Sequence, residues 1–374
     1  MPKKSNYSVV SVEPGMPFLG DLPPVLLPKL QVPRLHSSLV VRSRLLGRLD
    51  AGFERRLSLV SAPAGYGKTT LVCQWIAERA ARDLRWRVAW VSLDAGDNDP
   101  IRFWLYLIMA CQGLDRHVGD TSLATLLNAT NSGTWSWHAH LLLPSIETLL
   151  ETFLNEVNQI PNKSVLVLED YHLITTQSIH EIIAKFVEHL PPNLHLVFIT
   201  RGDPPFPLAR LRVRDDLVEL RASDLSFSQD EIRVFFQQSI PYPLPDEAVK
   251  RLEIRTEGWV AGMRLLALAL QKRADPSNLE DYLQTFSGSH RHLLEYFITE
   301  VLDAQPETVQ EFLLRTSLLN RLTGPLCDAI TGRKDSGLLL KELERTGLFL
   351  LPLDDSGEWY RYHALFAWLL IYPL

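Results

Sequence analysis

Residues 57–70 read LSLVSAPAGYGKTT and decide the fold of this chain. The segment begins with a short apolar run typical of a buried strand, and a helical pattern begins at Gly67 and continues to Arg82. The residues in between, APAGYGKTT, fit the phosphate-loop pattern G-x-x-x-x-G-K-[ST], with Ala62 in the first glycine position. Because this loop joins a strand to a helix, the sequence predicts a site for the phosphates of a nucleotide.

The residue types of this loop suit ATP or ADP together with Mg²⁺. Gly65 and Gly67 allow the backbone to curl, so that successive N–H groups point towards phosphate oxygens. We expect Lys68 to reach the β- and γ-phosphates as a catalytic cation, and the hydroxyl of Thr69 to coordinate magnesium. The alternative, a glycine-containing turn with an exposed lysine, is disfavoured by the strand–loop–helix context. The predicted nucleotide contacts in the loop are Ala64, Gly65, Tyr66, Gly67, Lys68, Thr69 and Thr70.

Further strand patterns alternate with helical ones on both sides of the loop. The strands are short and almost wholly apolar, as expected where helices cover both faces of a parallel sheet. The sequence therefore predicts an α/β fold with a parallel sheet, whereas residues 113–140 show no regular pattern. The additional strands are expected at Arg87–Leu93, Val165–Leu168, Leu194–Thr200 and Leu217–Leu220.

Beyond residue 222 the strand patterns stop and helical ones take over. Ser228 and Glu231 form a capping box, which marks a helix start. Leu350–Tyr362 is typical of a β-hairpin with its turn at residues 355–357. We predict four segments: a flexible arm (1–30), a nucleotide-binding α/β domain (31–222), a small helical domain (223–275) and a third, helical domain (276–374) that ends abruptly.

Charged residues follow two of the predicted strands. Glu169 and Asp170 end one strand, where a carboxylate can hold magnesium and its neighbour can orient the attacking water. We assign magnesium to Glu169 and the water to Asp170, although any strand can end in acidic residues. Arg201 ends another strand and is expected to sense the γ-phosphate as a catalytic residue, with an ordinary surface arginine as the alternative.

Composition excludes several classes of protein. The net charge is −6, which argues against nucleic-acid binding by bulk electrostatics. The longest apolar runs, Phe103–Cys111 and Phe366–Tyr372, are shorter than the roughly 20 residues needed to cross a bilayer. Three widely spaced cysteines give neither a disulfide framework nor a zinc motif, so we expect a reducing cytoplasm.

Several motifs taken together resemble one family. They are Ala62–Thr70, Val91–Asp94, Leu166–Ile174, Leu208–Arg214, Leu225–Ser228, Glu257–Trp259, Gly347–Phe349 and Gly357–Phe366. As a set they resemble the MalT-like branch of the LuxR-type transcriptional regulators, which are ATP-dependent signal-transduction ATPases with numerous domains (the STAND class). The resemblance covers roughly residues 28–370. It implies that the small helical domain (223–275) is a lid and that the third domain is a winged-helix domain.

The resemblance also implies further site residues. Val40, Val41 and Arg42 lie where the N-terminal arm of the family lines the adenine pocket. His363 lies where a histidine of the winged helix reaches the β-phosphate of ADP in the resting form. Here Ala364 replaces the proline that commonly follows this histidine. The alternative for His363 is a histidine packed among aromatic neighbours.

The family's function implies a nucleotide-dependent switch, in which slow ATP hydrolysis is coupled to self-association and to control of transcription. Family members continue into a helical-repeat sensor and a DNA-binding helix-turn-helix, whereas this sequence stops at Leu374. We therefore expect no DNA binding from this chain alone, and the inducer is not indicated. A naturally shortened product, a fragment and half of a split gene all stay open. The alternative functions are a P-loop enzyme with turnover, such as a kinase, and an inactive remnant.

Overall fold

The computed structural model describes residues 25–35, 39–83, 85–131, 143–271, 295–296, 298–303, 305–354 and 356–371. The strands in these ranges are β1 (Leu57–Ser61), β2 (Arg87–Ser92), β3 (Ser164–Glu169), β4 (Leu194–Thr200), β5 (Leu217–Leu220), β6 (Leu350–Pro352) and β7 (Tyr360–Tyr362).

The α-helices of the first part are α1 (Ser43–Gly52), α2 (Lys68–Arg82), α3 (Pro100–Gln112), α4 (Asp120–Asn131), α5 (Leu143–Asn158), α6 (Gln177–Glu188), α7 (Leu208–Val213) and α8 (Ala222–Leu225). They are followed by α9 (Gln229–Ser239), α10 (Asp246–Thr256), α11 (Val260–Gln271), α12 (Glu307–Thr316), α13 (Gly324–Thr331), α14 (Ser336–Arg345) and α15 (Ala364–Ile371). Shorter helical segments are Leu27–Leu30, Ala95–Asn98, Tyr171–Leu173 and the π-helical Ile298–Leu302.

Five strands form one parallel sheet in the order β2-β3-β4-β1-β5. Strands β1, β3 and β4 are buried along their whole length, as expected for a sheet with helices on both faces. β4 lies between β1 and β3, and Ser61 is paired with Thr200. Because parallel strands end at the same edge, the phosphate loop, Glu169 and Arg201 meet there. The predicted α/β fold class is confirmed.

Local sequence patterns predicted the positions of most helices and strands. β4 and β5 have the bounds that the apolar runs predicted, and Asp99 caps α3 by accepting hydrogen bonds from the N–H groups of Ile101 and Arg102. Helix α4 is the exception, because the sequence showed no regular pattern over residues 113–140. Leu126 of this helix is fully buried in the core that also contains residues of α3 and α5. Residues 132–142 lie outside the described residues.

The end of the predicted flexible arm differs from that prediction. Residues 27–30 form a short helix, and the ammonium of Lys29 forms ion pairs with Asp94 (3.0 Å) and with the fully buried carboxylate of Asp97. This buried charge pairing fixes residues 25–30 beside β2, because an unpaired charge would be costly there. Residues 1–24 lie outside the described residues.

The remaining helices form two groups after the sheet. Helices α9–α11 enclose a small apolar core of their own, and Ser228 and Glu231 form the predicted capping box at the start of α9. Helices α12–α15 accompany the antiparallel β6–β7 hairpin, as the sequence predicted. Their apolar side chains join the core on the α2 face of the sheet, which includes Trp75 and Phe366. In the described part of the chain, we find no helix of the length and hydropathy that a membrane span requires.

Buried His195 makes the stability of this fold depend on pH. Its Nδ1 lies 2.8 Å from the carbonyl oxygen of Arg55, and the hydroxyl of Ser58 lies 3.0 Å from Nε2. Burial lowers the pKa of His195 to about 4. The folded chain therefore keeps the ring neutral, whereas the unfolded chain takes up a proton below pH 6.5.

We predict that the free energy of unfolding falls as the pH drops from about 6.5 to about 4, by up to about 3 kcal/mol. Chemical denaturation at several pH values measures this slope. His195→Gln should remove this share of the slope, and exposed His117→Gln should retain it. An unchanged slope in His195→Gln would contradict the assignment.

Candidate nucleotide-binding site

The phosphate loop has the backbone that its glycines predicted. Gly65 has φ of 79° and Gly67 has φ of 73°, both in the left-handed region that favours glycine. Gly67 directly precedes the first turn of α2, whose free N–H groups face the loop. A curled backbone at a helix N-terminus is suited to hold phosphate oxygens.

The ammonium of Lys68 lies inside the loop. Its Nζ donates to the carbonyl oxygens of Ala62 (2.8 Å) and Pro63 (2.9 Å). Burial, and then the positive charge of Arg201, lower the pKa of Lys68 to about 8. At pH 7 the side chain is therefore still a cation, held beside the loop that is expected to bind an anion.

Thr69 and Glu169 meet as predicted for a magnesium site. The hydroxyl of Thr69 donates to Oε1 of Glu169 at 2.7 Å. The other carboxylate oxygen, Oε2, accepts hydrogen bonds from Ser92 (2.6 Å) and from the indole of Trp90 (3.2 Å). A hydroxyl and a carboxylate are oxygen ligands that Mg²⁺ prefers, so these residues fit the ion.

Protein side chains alone would not complete this magnesium site. In the described ranges, no group of three or more His, Cys, Asp and Glu side chains is arranged to hold a metal ion. Mg²⁺ in nucleotide sites takes its other ligands from phosphates and water. The donor set is therefore typical of a metal that arrives with a nucleotide.

Asp170 differs from Glu169 in both backbone and environment. Its φ of 55° is unusual for a residue other than glycine, and its side chain is 45% exposed. Burial, and then the charge of Glu169, raise the pKa of Asp170. A carboxylate with a raised pKa that water can reach is suited to orient or accept a proton from a water molecule.

Arg201 lies at the edge of the sheet, but its guanidinium is bonded elsewhere. It donates to the carbonyl oxygen of Glu300 at 3.2 Å, and the carboxylate of Glu300 lies 3.9 Å away. A cavity of about 560 Å³ adjoins Arg201 and is also lined by Ala64 of the loop and by Thr346. The predicted γ-phosphate sensor thus faces an open cavity while it contacts the π-helical segment.

The helices after the sheet contact the loop directly. The carbonyl oxygen of Ala64 accepts a hydrogen bond from the indole of Trp259 (2.9 Å), and that of Gly65 accepts one from the N–H of Ala261 (3.0 Å). A Cβ on Gly65 would lie 2.6 Å from the Cβ of Ala261. Gly65 is therefore required by this contact as well as by its φ angle.

Tyr66 is buried and packs against Phe349, with ring centroids 6.3 Å apart.

His363 is buried at the same junction. Its ring centroid lies 5.7 Å from that of Phe349 and 6.3 Å from that of Trp259. Neither ring nitrogen makes a well-formed hydrogen bond among the described residues. Burial lowers the pKa of His363, although the charge of Glu257 and the nearby backbone of Thr256 oppose this shift. A buried polar ring without a partner is unusual, and a phosphate oxygen would satisfy it.

The predicted adenine-pocket residues connect α2 with the lid helices. The carbonyl oxygen of Val40 accepts a hydrogen bond from Gln74, and the Val40 side chain packs in the core of α9–α11. Arg42 is buried and forms an ion pair with Glu231 at 2.9 Å. Val41 is 62% exposed, so its side chain contributes little to this junction.

Sequence reasoning assigned no role in this site to Ser92 or Trp259. Ser92 is paired with Glu169 in the β2–β3 register, so both residues end neighbouring strands at the site edge. That shared position was the only signal available for Ser92. The indole bond of Trp259 to the loop joins residues almost 200 positions apart, and no local pattern indicates such a contact.

Comparisons with known proteins bear on the family and the fold of this chain. Residues 298–373 match the family of the MalT winged helix domain. Over 345 residues the chain is 38% identical to the HTH-type transcriptional regulator MalT of Yersinia enterocolitica, and 37% identical to that of Yersinia pestis. This chain is a homologue of the MalT transcriptional regulators. The alignment covers 92% of this chain and 36% of each relative.

A solved structure agrees with the fold of this MalT homologue. The Walker-type ATPase of Pyrococcus abyssi is similar with a TM-score of 0.55 and 15% sequence identity, over 89% of this chain and 96% of that protein. At that identity the similarity concerns the fold alone. The family resemblance and the P-loop fold with a winged helix are confirmed.

Variants of Glu169 and Asp170 test which carboxylate holds magnesium and which one orients the attacking water. We predict that Glu169→Gln reduces, by about tenfold, the gain in ATP affinity that Mg²⁺ provides, because a charged ligand becomes neutral. Asp170→Asn should keep that gain and slow hydrolysis by about a hundredfold. Titrations with Mg²⁺ and with EDTA, together with single-turnover assays, measure both effects. The opposite pattern would exchange the two assignments.

Proposed function

We propose that this chain is the nucleotide-dependent switch of a MalT-type transcriptional regulator. The observation that carries the proposal is the three-way contact at the phosphate loop. The α/β domain supplies the loop, Trp259 and Ala261 bond its carbonyl groups, and Phe349 packs on Tyr66. A nucleotide in this loop would lie where three parts of the chain meet, so its identity can bias their arrangement.

The residues of the loop would bind the nucleotide directly. Lys68 would exchange its bonds to Ala62 and Pro63 for the β- and γ-phosphates, and its positive charge offsets theirs. Thr69 and Glu169 would hold Mg²⁺, which supplies electrostatic stabilisation of the phosphates when it is bound. Asp170 would orient the attacking water. Val40 and Arg42 lie where they would border the base, and His363 would reach the β-phosphate of ADP.

ADP and ATP differ at the γ-phosphate, which is the group that Arg201 would sense. In this structure Arg201 donates a hydrogen bond to the carbonyl oxygen of Glu300. A γ-phosphate would compete for Arg201 and favour an open form, which we propose is the self-associating one. Hydrolysis need only be slow, because the switch depends on a difference in affinity between two states.

The wider role follows from the homology and is part of the proposal. The chain would act in control of transcription. A cytoplasmic location is supported by Cys73, Cys111 and Cys327, which are all buried and free. Steady turnover above about 1 per second would instead favour an enzyme of the kinase class.

Retention of ADP tests the nucleotide site. We predict that the purified chain binds ADP and that Lys68→Ala weakens binding by at least about a hundredfold, because a buried charge-assisted contact is lost. The control is Lys185→Ala, which removes an exposed lysine paired with Glu147. Nucleotide analysis and calorimetry measure both. Equal ADP binding by the parent and by Lys68→Ala would contradict the proposal.

The γ-phosphate role of Arg201 has a separate test. Arg201→Gln should weaken binding of a non-hydrolysable ATP analogue by about tenfold and change ADP binding little, because only ATP carries the group that it would contact. Calorimetry with the two nucleotides measures the ratio. A matched control is Arg212→Gln, on the exposed α7. An equal loss for both nucleotides would show that Arg201 is not a γ-phosphate sensor.

A further inference from the structure

We infer that Glu257 is a positioning residue that, from the lid, holds His363 against the phosphate loop. It follows α10, and its carboxylate lies at the start of α15. The inference rests on the proposed function, because it concerns how the site retains ADP. Glu257 itself need not touch the nucleotide.

Three hydrogen bonds connect this carboxylate to the segment that contains His363. Arg361 donates two of them, from Nη1 to Oε1 (2.7 Å) and from Nη2 to Oε2 (3.0 Å). The N–H of Ala364 donates the third, to Oε1 at 3.0 Å. Because Arg361 and Ala364 lie on either side of His363, one carboxylate fixes the backbone both before and after the ring.

The environment shows that Glu257 is bound as an anion. Burial alone would raise its pKa, but the bonds from Arg361 and Ala364 and the positive charge of Arg361 outweigh this effect, and the pKa of Glu257 is lowered. A two-pronged bond between an arginine and a carboxylate fixes geometry as well as distance. The first free N–H of α15 also favours a negative charge at that helix end.

The backbone around Glu257 connects this bond to the loop. Glu257 has φ of 48° and Gly258 has φ of 75°, so the chain turns sharply after α10. The carbonyl oxygen of Gly258 accepts a hydrogen bond from the N–H of Phe227, which fixes the turn within the lid. The next residue, Trp259, bonds Ala64 of the phosphate loop.

The turn at residues 257–259 therefore contacts both the phosphate loop and the segment that contains His363. Through Trp259 it holds the loop, and through Glu257 it holds the segment of His363. A left-handed backbone at a residue other than glycine is unfavourable and persists only where surrounding contacts fix it. The three bonds to Glu257 are such contacts. Loss of the carboxylate charge should release His363 and leave the loop itself intact.

The test is the rate at which fluorescent ADP leaves the chain, measured by displacement with unlabelled ADP. Glu257→Gln and Arg361→Gln should each speed release by about tenfold. Affinity for a non-hydrolysable ATP analogue should change less than about twofold, because the proposed open form does not use His363. The matched control is Arg233→Gln, which breaks an ion pair with Asp246 inside the lid and should leave release unchanged.

A double-mutant cycle with His363→Ala separates positioning from general weakening of the fold. In that background Glu257→Gln should add almost nothing, because the ring that it positions is gone. The inference is wrong if Glu257→Gln leaves the release rate of the parent unchanged. It is also wrong if the variant speeds release equally in the His363→Ala background.

Two further comparisons distinguish a failure of the inference from a folding defect and from a failure of the proposed function. If Glu257→Gln does not fold, as judged by thermal unfolding, Arg361→Lys takes its place, since it keeps the charge and loses the two-pronged bond. Release at the parent rate in Arg361→Lys would then overturn the inference. The proposed function fails in a different way, when the parent and Lys68→Ala bind ADP equally whatever happens at residue 257.

Discussion

Two hydrogen bonds to the backbone of the phosphate loop are the contacts on which the rest of the site depends. The carbonyl groups of Ala64 and Gly65 lie where the loop meets the lid, and buried carbonyl groups need donors. Trp259 and Ala261 provide them from the lid. These two bonds connect the backbone of the loop directly to the lid. A change in the backbone conformation of the loop would therefore alter these two hydrogen bonds.

The third part of the chain reaches the same edge by backbone contact. A Cβ on Gly202 would lie 1.8 Å from the carbonyl oxygen of Arg345, and one on Gly347 would lie 2.0 Å from that of Arg201. A side chain at either glycine would clash with the neighbouring backbone, so neither residue can be replaced without a backbone shift. The segment that follows β4 is thus held against the turn after α14, and Arg201 cannot move far without moving the winged helix. Loop, lid and winged helix consequently form one coupled junction.

The sequence predicted those features that local pattern determines. The loop, the bounds of β4 and the capping box at Ser228 depend on neighbours within a few residues, and each was found where it was expected. Contacts such as Arg201 with Glu300 join distant elements, and their geometry depends on how helices pack rather than on any motif. Helix α4 was missed because residues 113–140 show no regular pattern, and the core that buries Leu126 is built by segments distant in sequence. The MalT-like resemblance located His363, but only the structure shows its unpartnered nitrogens.

Hydrogen exchange at the N–H of Ala261, which bonds Gly65, tests most directly whether the nucleotide sets this junction. Mass spectrometry of the peptide that contains residues 259–263 would be compared with ADP and with a non-hydrolysable ATP analogue plus Mg²⁺. The account predicts strong protection with ADP and faster exchange with the ATP analogue, because the lid leaves the loop. Equal protection with both nucleotides, at saturating concentration, would contradict it.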